Sequence, residues 1–276
     1  MVDSLEWLLL APPPVPTLTT EETLVGASPI EVSGMAHDTD GLQIKRGDEV
    51  LATVIPGEDG SYTATVELVE GENTLVAVAT NELGSTESEP LVVVLDTTAP
   101  ELSWTPEDGT AVLEPEITVS GTVSDEYAEP VTVTVQGEPV EVAEDGTFEV
   151  VVPLVEGVQD VTVVATDSVG NDVTETRQVA YYAYDAEWTL AGGKGKVQLV
   201  KVALTDALGD RVQVDGAVLE LWQDGEVVTT FDMSYVDEQE YLALVRDVAR
   251  GTYDLRVVLA IDGFEAVVDG PELRIR

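Results

Sequence analysis

The sequence repeats itself. Ile30-Glu31-Val32-Ser33-Gly34 returns as Ile117-Thr118-Val119-Ser120-Gly121, and Glu58-Asp59-Gly60-Ser61-Tyr62 as Glu144-Asp145-Gly146-Thr147-Phe148. Leu68-Val69-Glu70-Gly71 is matched by Leu154-Val155-Glu156-Gly157, and the run from Val78 to Gly84 by that from Val164 to Gly170. The four anchor glycines recur at offsets of 87, 86, 86 and 86 residues. Landmarks that keep one order and one spacing mark a duplicated folding unit, so a reading of the chain starts from that unit.

Within each copy the apolar residues alternate over short runs. Tyr62 to Leu68 and Phe148 to Leu154 each follow an Asp-Gly pair, whose glycine supplies the positive φ that a tight hairpin requires. Leu75 to Ala79 and Val161 to Ala165 are β-rich, and Pro90 to Leu95 reads as the last strand of the first copy. No helical period competes with these runs. About seven short strands with a turn every 8–12 residues is the pattern of a β-sandwich. The copies meet at Asp96-Thr97-Thr98-Ala99-Pro100, a short proline-bearing joint that leaves little slack.

Beyond Tyr182 the repeat is lost but the strand pattern is not. Strand-like runs cover Val197 to Leu204, Ala217 to Gln223, Val227 to Phe231, Tyr241 to Val245, Tyr253 to Ala260 and Phe264 to Val268. Asp215-Gly216, Asp224-Gly225 and Asp262-Gly263 punctuate them, and Ala191 to Lys196 reads as a flexible stretch. Tyr181, Tyr182, Tyr184 and Trp188 cluster at the start of this part. The expected architecture is all-β: tandem immunoglobulin-like β-sandwiches arranged as a rod. Its expected parts are an arm and proline spacer over 1–16, sandwiches over 17–96 and 97–182, and a divergent immunoglobulin- or fibronectin-like sandwich over 183–276.

Charge bounds the partners. The formal net charge is −42, with 12 basic residues against 54 acidic ones. Phosphate backbones and anionic membrane surfaces are repelled by such a chain, so nucleic acid is excluded as a partner. The charge serves solubility in a strand-rich protein, or it suits a salt- or cation-rich medium in which self-repulsion is screened. It is unevenly spread: residues 1–96 hold 2 basic and 18 acidic side chains, residues 97–182 hold 1 and 18, and residues 183–276 hold 9 and 18. With no cysteine, disulfides and thiolate chemistry are excluded. No run approaches the 18 apolar residues of a membrane span. Leu5 to Ala11 is apolar but short, contains Glu6 and lacks a basic flank, so it does not read as a signal peptide. It reads as an arm ahead of a stiff Pro12–Pro16 spacer, either pairing onto the first sandwich or docking on a partner.

The string Asp96-Thr-Thr-Ala-Pro, then Ile117 to Asp125, then Glu144 to Val150, then Val163 to Asp172 resembles the bacterial immunoglobulin-like repeats of the type named for domain B of glucodextranase. Ala165-Thr166-Asp167-x-x-Gly170-Asn171 is its most specific piece. The resemblance covers about residues 25–182 and departs in the first copy, where Asn81 replaces the aspartate and Ser85 the asparagine. It implies a sandwich fold and a context of spacers, adhesins, accessory domains of polysaccharide enzymes and phage decorations. It transfers no catalytic residue.

Site chemistry is sparse. His37, the one histidine, has no nucleophile motif beside it and cannot alone build a zinc site. The best candidate is a calcium site, since calcium takes several carboxylate and carbonyl oxygens around turns. Asp96, Asp125, Asp167, Asn171 and Asp172 are the residues named for it; the alternative is that Asp167 to Asn171 is a plain turn. No other cofactor is expected. Trp7, Trp104, Trp188 and Trp222 are scattered rather than gathered as a glycan platform, though surface-glycan binding stays open. The expected function is non-enzymatic: a structural or adhesive protein projecting from a larger assembly. A virion decoration or tail surface component is expected first, because Met1 is followed by no export signal. The alternative is a cell-surface adhesin or an extracellular carbohydrate-binding or spacer module. Its protein partners would be met through residues 1–13 or the third part of the chain.

Overall fold

A computed structural model of the chain describes residues 11–192, 198–206, 208–236 and 239–275. Every named element among them is a β-strand. The chain packs as two compact units. Unit 1 takes the described residues of Met1–Glu101 together with Ser124–Thr132 and Ala165–Val173; unit 2 takes Leu102–Val123, Val133–Val164 and the described residues of Thr174–Arg276.

Unit 1 is built on β1 (Leu24–Val25), β2 (Ile30–Met35), β3 (Gly41–Arg46), β4 (Glu49–Val54), β5 (Ser61–Val66), β6 (Gly71–Asn81), β7 (Gly84–Glu87) and β8 (Leu91–Leu95). One sheet runs β1-β8-β6-β3-β4 with β7 on β6, and β2 pairs with β5 in the other. The segment before β1 closes the smaller sheet, with Thr17 N and Thr19 N bonded to the carbonyls of Met35 and Ser33. Alternation along each strand fills the space between the sheets. Val32, Leu42, Ile44, Leu75, Ala77 and Val93 are fully buried there. This order, with a first strand switching from one sheet to a parallel edge of the other, is that of an immunoglobulin-like sandwich.

Unit 2 repeats the plan with β9 (Glu101–Thr105), β10 (Thr110–Val112), β11 (Glu116–Ser124), β12 (Thr132–Val135), β13 (Glu138–Val140), β14 (Thr147–Pro153), β15 (Gly157–Thr166) and β16 (Asp172–Tyr181). It continues through β17 (Asp185–Gly192), β18 (Gln198–Thr205), β19 (Gly216–Gln223), β20 (Glu226–Asp232), β21 (Ser234–Val236), β22 (Glu240–Val245), β23 (Gly251–Ile261) and β24 (Phe264–Ile275). Three strands form the sheet β14-β11-β9, and four form β17-β18-β22-β21. The remaining nine form one sheet, β13-β12-β15-β16-β10-β24-β23-β19-β20. Its central member, β10, is three residues long and pairs in parallel on both sides, Ala111 opposite Ala180 and opposite Ala266. Beneath it Ala111, Ala180 and Tyr182 share one buried cluster with Leu219, Val257 and Leu259.

Two readings of the turns need correction. Asp59-Gly60 does not close a hairpin: β4 and β5 lie in different sheets, and the turn carries the chain between them. Gly60 does take the positive φ, +83°, and Asp59 Oδ1 accepts the Ser61 amide and hydroxyl at 3.0 and 2.7 Å. Asp215-Gly216 is no turn of that kind either, because Gly216 opens β19 and Asp215 Oδ2 caps the Asp262 amide at 2.9 Å. Asp224-Gly225 and Asp262-Gly263 are the true two-residue hairpins, with φ of 54° and 82°, and of 52° and 85°. Positive φ at both positions gives the twist that two neighbouring strands share. Of the stretch read as flexible, Ala191 and Gly192 end β17 and the rest lies outside the described residues.

A carboxylate cluster as the candidate site

The repeated loop explains how the candidate acids are held. After β15 the chain must reverse into β16, and the Asp167 side chain organises the reversal. Its Oδ1 accepts the amides of Val169, Gly170 and Asn171 at 2.9, 2.6 and 2.9 Å, and Gly170 takes φ +98°. The Asn171 amide group donates to Asp167 Oδ2 at 2.7 Å and to the Asp96 carbonyl at 3.0 Å. Asp125 organises a second loop, its Oδ1 accepting the amides of Tyr127 and Ala128, both at 2.9 Å. Asp96 follows β8, with Oδ1 accepting the Thr98 amide and hydroxyl at 3.1 and 2.8 Å.

These three aspartates converge within unit 1. Each offers an oxygen, and those oxygens all lie within 4.8 Å of one another. Asp96 has no solvent exposure and Asp167 is 6% exposed, while Asp125 is half-buried. Asp96 Oδ2 is fully enclosed and has no hydrogen-bond partner. Burial, and next to it the Asp125 carboxylate, pushes the Asp96 carboxyl up. Burial also pushes Asp125 up, but the Ala128 and Tyr127 amides outweigh it and hold that carboxyl below its ordinary value. Surrounding groups add more negative charge. Tyr127 is pushed up by Glu126 first, through a hydrogen bond and its charge, and also by Glu70 and Asp96.

Of the five residues named from sequence, three therefore meet, and Asn171 braces two of them. Asp172 stands apart, exposed at the first position of β16. Sequence reasoning did not foresee Tyr127, which closes on the first repeat: a Cβ on Gly71 would lie 3.2 Å from its hydroxyl. Val169 does the same at Gly26, where a Cβ would lie 3.0 Å from the Val169 carbonyl.

The other candidates are occupied by packing. The His37 ring lies over Gly60, leaving no room there for a side chain. Trp104 is 3% exposed, donates from Nε1 to Glu175 at 2.8 Å and carries the Arg177 guanidinium 4.1 Å from its ring centroid. Trp222 is bonded to Glu220 at 2.8 Å and covered by Arg256 at 4.4 Å. Trp188 lies on Gly270, where a Cβ would come within 2.6 Å of the indole. Trp7 and residues 1–10 of the arm lie outside the described residues; the rest of the spacer meets the first sandwich through Asn81 to the Ala11 carbonyl at 3.1 Å and Thr86 to that of Pro14 at 3.1 Å.

Comparison with known proteins places part of the chain. Residues 100–182 match the family described as glucodextranase, domain B. A stretch of 165 residues, 58% of the chain, is 33% identical to bacillopeptidase F of Bacillus subtilis (strain 168). The chain covers 11% of that protein's length. Among solved structures, an I-band fragment of titin covers 95% of this chain and 98% of its own, at 11% identity and a TM-score of 0.45. The Escherichia coli adhesin FdeC covers 95% and 96%, at 15% identity and a TM-score of 0.37. Fibronectin(III)-like modules of Clostridium thermocellum CbhA cover 60% and 94%, at 18% identity and a TM-score of 0.36.

Proposed function

We propose that the chain is a non-catalytic structural or adhesive component, a series of immunoglobulin-like sandwiches displayed on a virion or outside a cell. The observation that carries the reading is β10. A strand bonded on both edges makes the sheets of two successive sandwiches continuous, and a shared core lies under it. A joint of that kind resists bending because movement would break ladder hydrogen bonds and open apolar surface together. Such construction suits a part that transmits position or load. The acid-rich surface keeps the exposed strands from pairing with other chains. Attachment would fall to residues 1–13 or to 183–276, the part that carries most of the basic side chains.

The virion is the first setting, in keeping with the particle decorations among which the resembling repeats occur. An antibody against residues 183–276 that labels purified particles and sediments with them supports it. Label confined to the cell exterior moves the protein there, and label found only inside cells overturns both settings. A second reading, that the chain is a module of a longer bacterial protein, is favoured by its alignment within bacillopeptidase F. The same antibody tests it on a blot, where a native polypeptide far above 29.4 kDa is expected.

A further inference from the structure

We propose that Asp96, Asp125 and Asp167 form a divalent-cation site that takes calcium. Three observations lead there independently. The first is geometric. Two oxygens on opposite sides of a calcium ion, each about 2.4 Å from it, are about 4.8 Å apart. That is the span within which the three aspartate oxygens lie. Each aspartate gives one oxygen to amide or hydroxyl donors of its own loop, and Asp167 gives its second to the Asn171 side chain at 2.7 Å, which fixes the carboxylate planes.

The second is the enclosed Asp96 Oδ2. A buried polar atom without a partner costs about 1–3 kcal/mol, more when charged. Nearly all such atoms in folded proteins are satisfied, so this one marks an unmet interaction of definite sign. No ion pair among the described residues involves any of the three aspartates. The neighbouring charges, Glu70 and Glu126, are of the same sign. Only a cation or a shared proton relieves the arrangement.

The third is an internal control. One repeat earlier, offsets of 86 and 87 place Asn81 at the Asp167 position and Asp38 at the Asp125 position. Asn81 holds its own turn without charge. Its Oδ1 accepts the Leu83 amide at 2.9 Å, and its Nδ2 donates to the carbonyls of Ala11 and Asp38. A neutral amide is thus enough in the first repeat, where it meets one loop amide against the three that Asp167 meets. The second repeat differs in carrying a charge at the Asp167 position, and that charge is placed against Asp96 and Asp125. Calcium is preferred over magnesium because it accepts irregular sets of protein oxygens, whereas magnesium demands octahedral geometry and keeps its waters. The ion would tie the two loops to the end of β8 inside unit 1.

Titration calorimetry and thermal melting of the full chain test this, in 150 mM NaCl to suppress diffuse counterion binding. One saturable calcium per chain is expected, with a melting temperature raised by several degrees and a smaller rise in equimolar magnesium. Asp96→Asn and Asp125→Asn should each weaken calcium at least 10-fold, while Asp172→Asn leaves it unchanged. Absence of a saturable event overturns the proposal. Equal loss in Asp172→Asn also overturns it, since binding would then be diffuse. So does an Asp96→Asn chain that melts higher without metal yet keeps the full calcium shift, because the cluster then holds only a shared proton. Should Asp96→Asn fail to give a β-sheet circular dichroism spectrum, Asp125→Asn, on the half-buried member, decides by the same criteria.

Discussion

At the scale of single residues, the repeat shows what each landmark is for. Gly34 in β2 and Gly121 in β11 lie where the segment that opens each copy passes close by. A Cβ there would strike the backbone of Thr17 in one copy and of Ser103 in the other. Backbone cannot step aside as a flexible side chain can, so Gly34→Ala should destabilise unit 1 by about 1–3 kcal/mol. Gly41→Ala, with nothing within 4 Å, should be within about 0.5 kcal/mol of wild type. Thermal melts of the two variants separate the cases. The aromatic after the Asp-Gly pair carries a second prediction. Tyr62 is 5% exposed and donates its hydroxyl to the Thr17 carbonyl, while Phe148 fills the matching place without one. Burial pushes the Tyr62 hydroxyl up to about 12. The folded state therefore keeps its proton after the unfolded chain has lost it. Its contribution is complete below pH 10 and is lost as the pH rises from 10 through 12. Two pH units correspond to about 2–3 kcal/mol. Tyr62→Phe should be less stable than wild type by about 1 kcal/mol at pH 8. By pH 12 the order should reverse; urea titrations at the two pH values that kept the order would refute the assignment.

At the scale of elements, most of the strands were legible because half-buried strands write their burial as alternation. Tyr253, Leu255, Val257 and Leu259 are 2, 2, 0 and 0% exposed, and β5 alternates without a break. The turns were half legible. Gly60, Gly146, Gly225 and Gly263 take the positive φ that Asp-Gly suggests and Gly216 does not, while which strands a turn joins depends on sheet membership, which no local pattern encodes. β10 was not legible at all. Thr110-Ala111-Val112 is too short to show a period, and its partners lie about 70 and 155 residues away in parallel register. The site was legible as acids placed at a joint and in loops, though not as a threesome, since Asp172 differs from Asp167 only by standing on the outward side of a strand. Ala111 tests the weight given to β10. It is 3% exposed between two strands, so Ala111→Asp would bury an unpaired charge there. A loss of about 3 kcal/mol or more is expected, seen as a lower melting temperature for the environment of Trp188. If Trp188 fluorescence melts as in wild type, β10 does not bind the two sheets.

At the scale of the whole molecule, uncompensated charge is what the fold leaves unresolved. With −42 to distribute, 54 acidic side chains and 12 basic ones cannot pair off. Surface ion pairs such as Arg46–Glu49 and Arg256–Asp269 contribute about 0–1 kcal/mol each. Repulsion among the remaining acids must oppose folding, because the folded state holds them closer together than the unfolded chain does. At 0.01 M ionic strength the screening length is about 30 Å, comparable to a domain, and at 1 M it is about 3 Å, shorter than most separations between surface carboxylates. The melting temperature should therefore climb smoothly with NaCl over that range, by several degrees, with KCl tracing the same curve. Screening has no stoichiometry. The rise should continue without a plateau at one equivalent, which sets it apart from the calcium effect expected at the aspartate cluster. The steepest response is expected where compensation is poorest. Trp104, in the segment holding 1 basic and 18 acidic residues, should report a larger shift than Trp222, in the segment holding 9 and 18. Single-tryptophan variants followed by fluorescence make the comparison, and equal slopes at the two positions would show that self-repulsion acts on the chain as a whole rather than segment by segment.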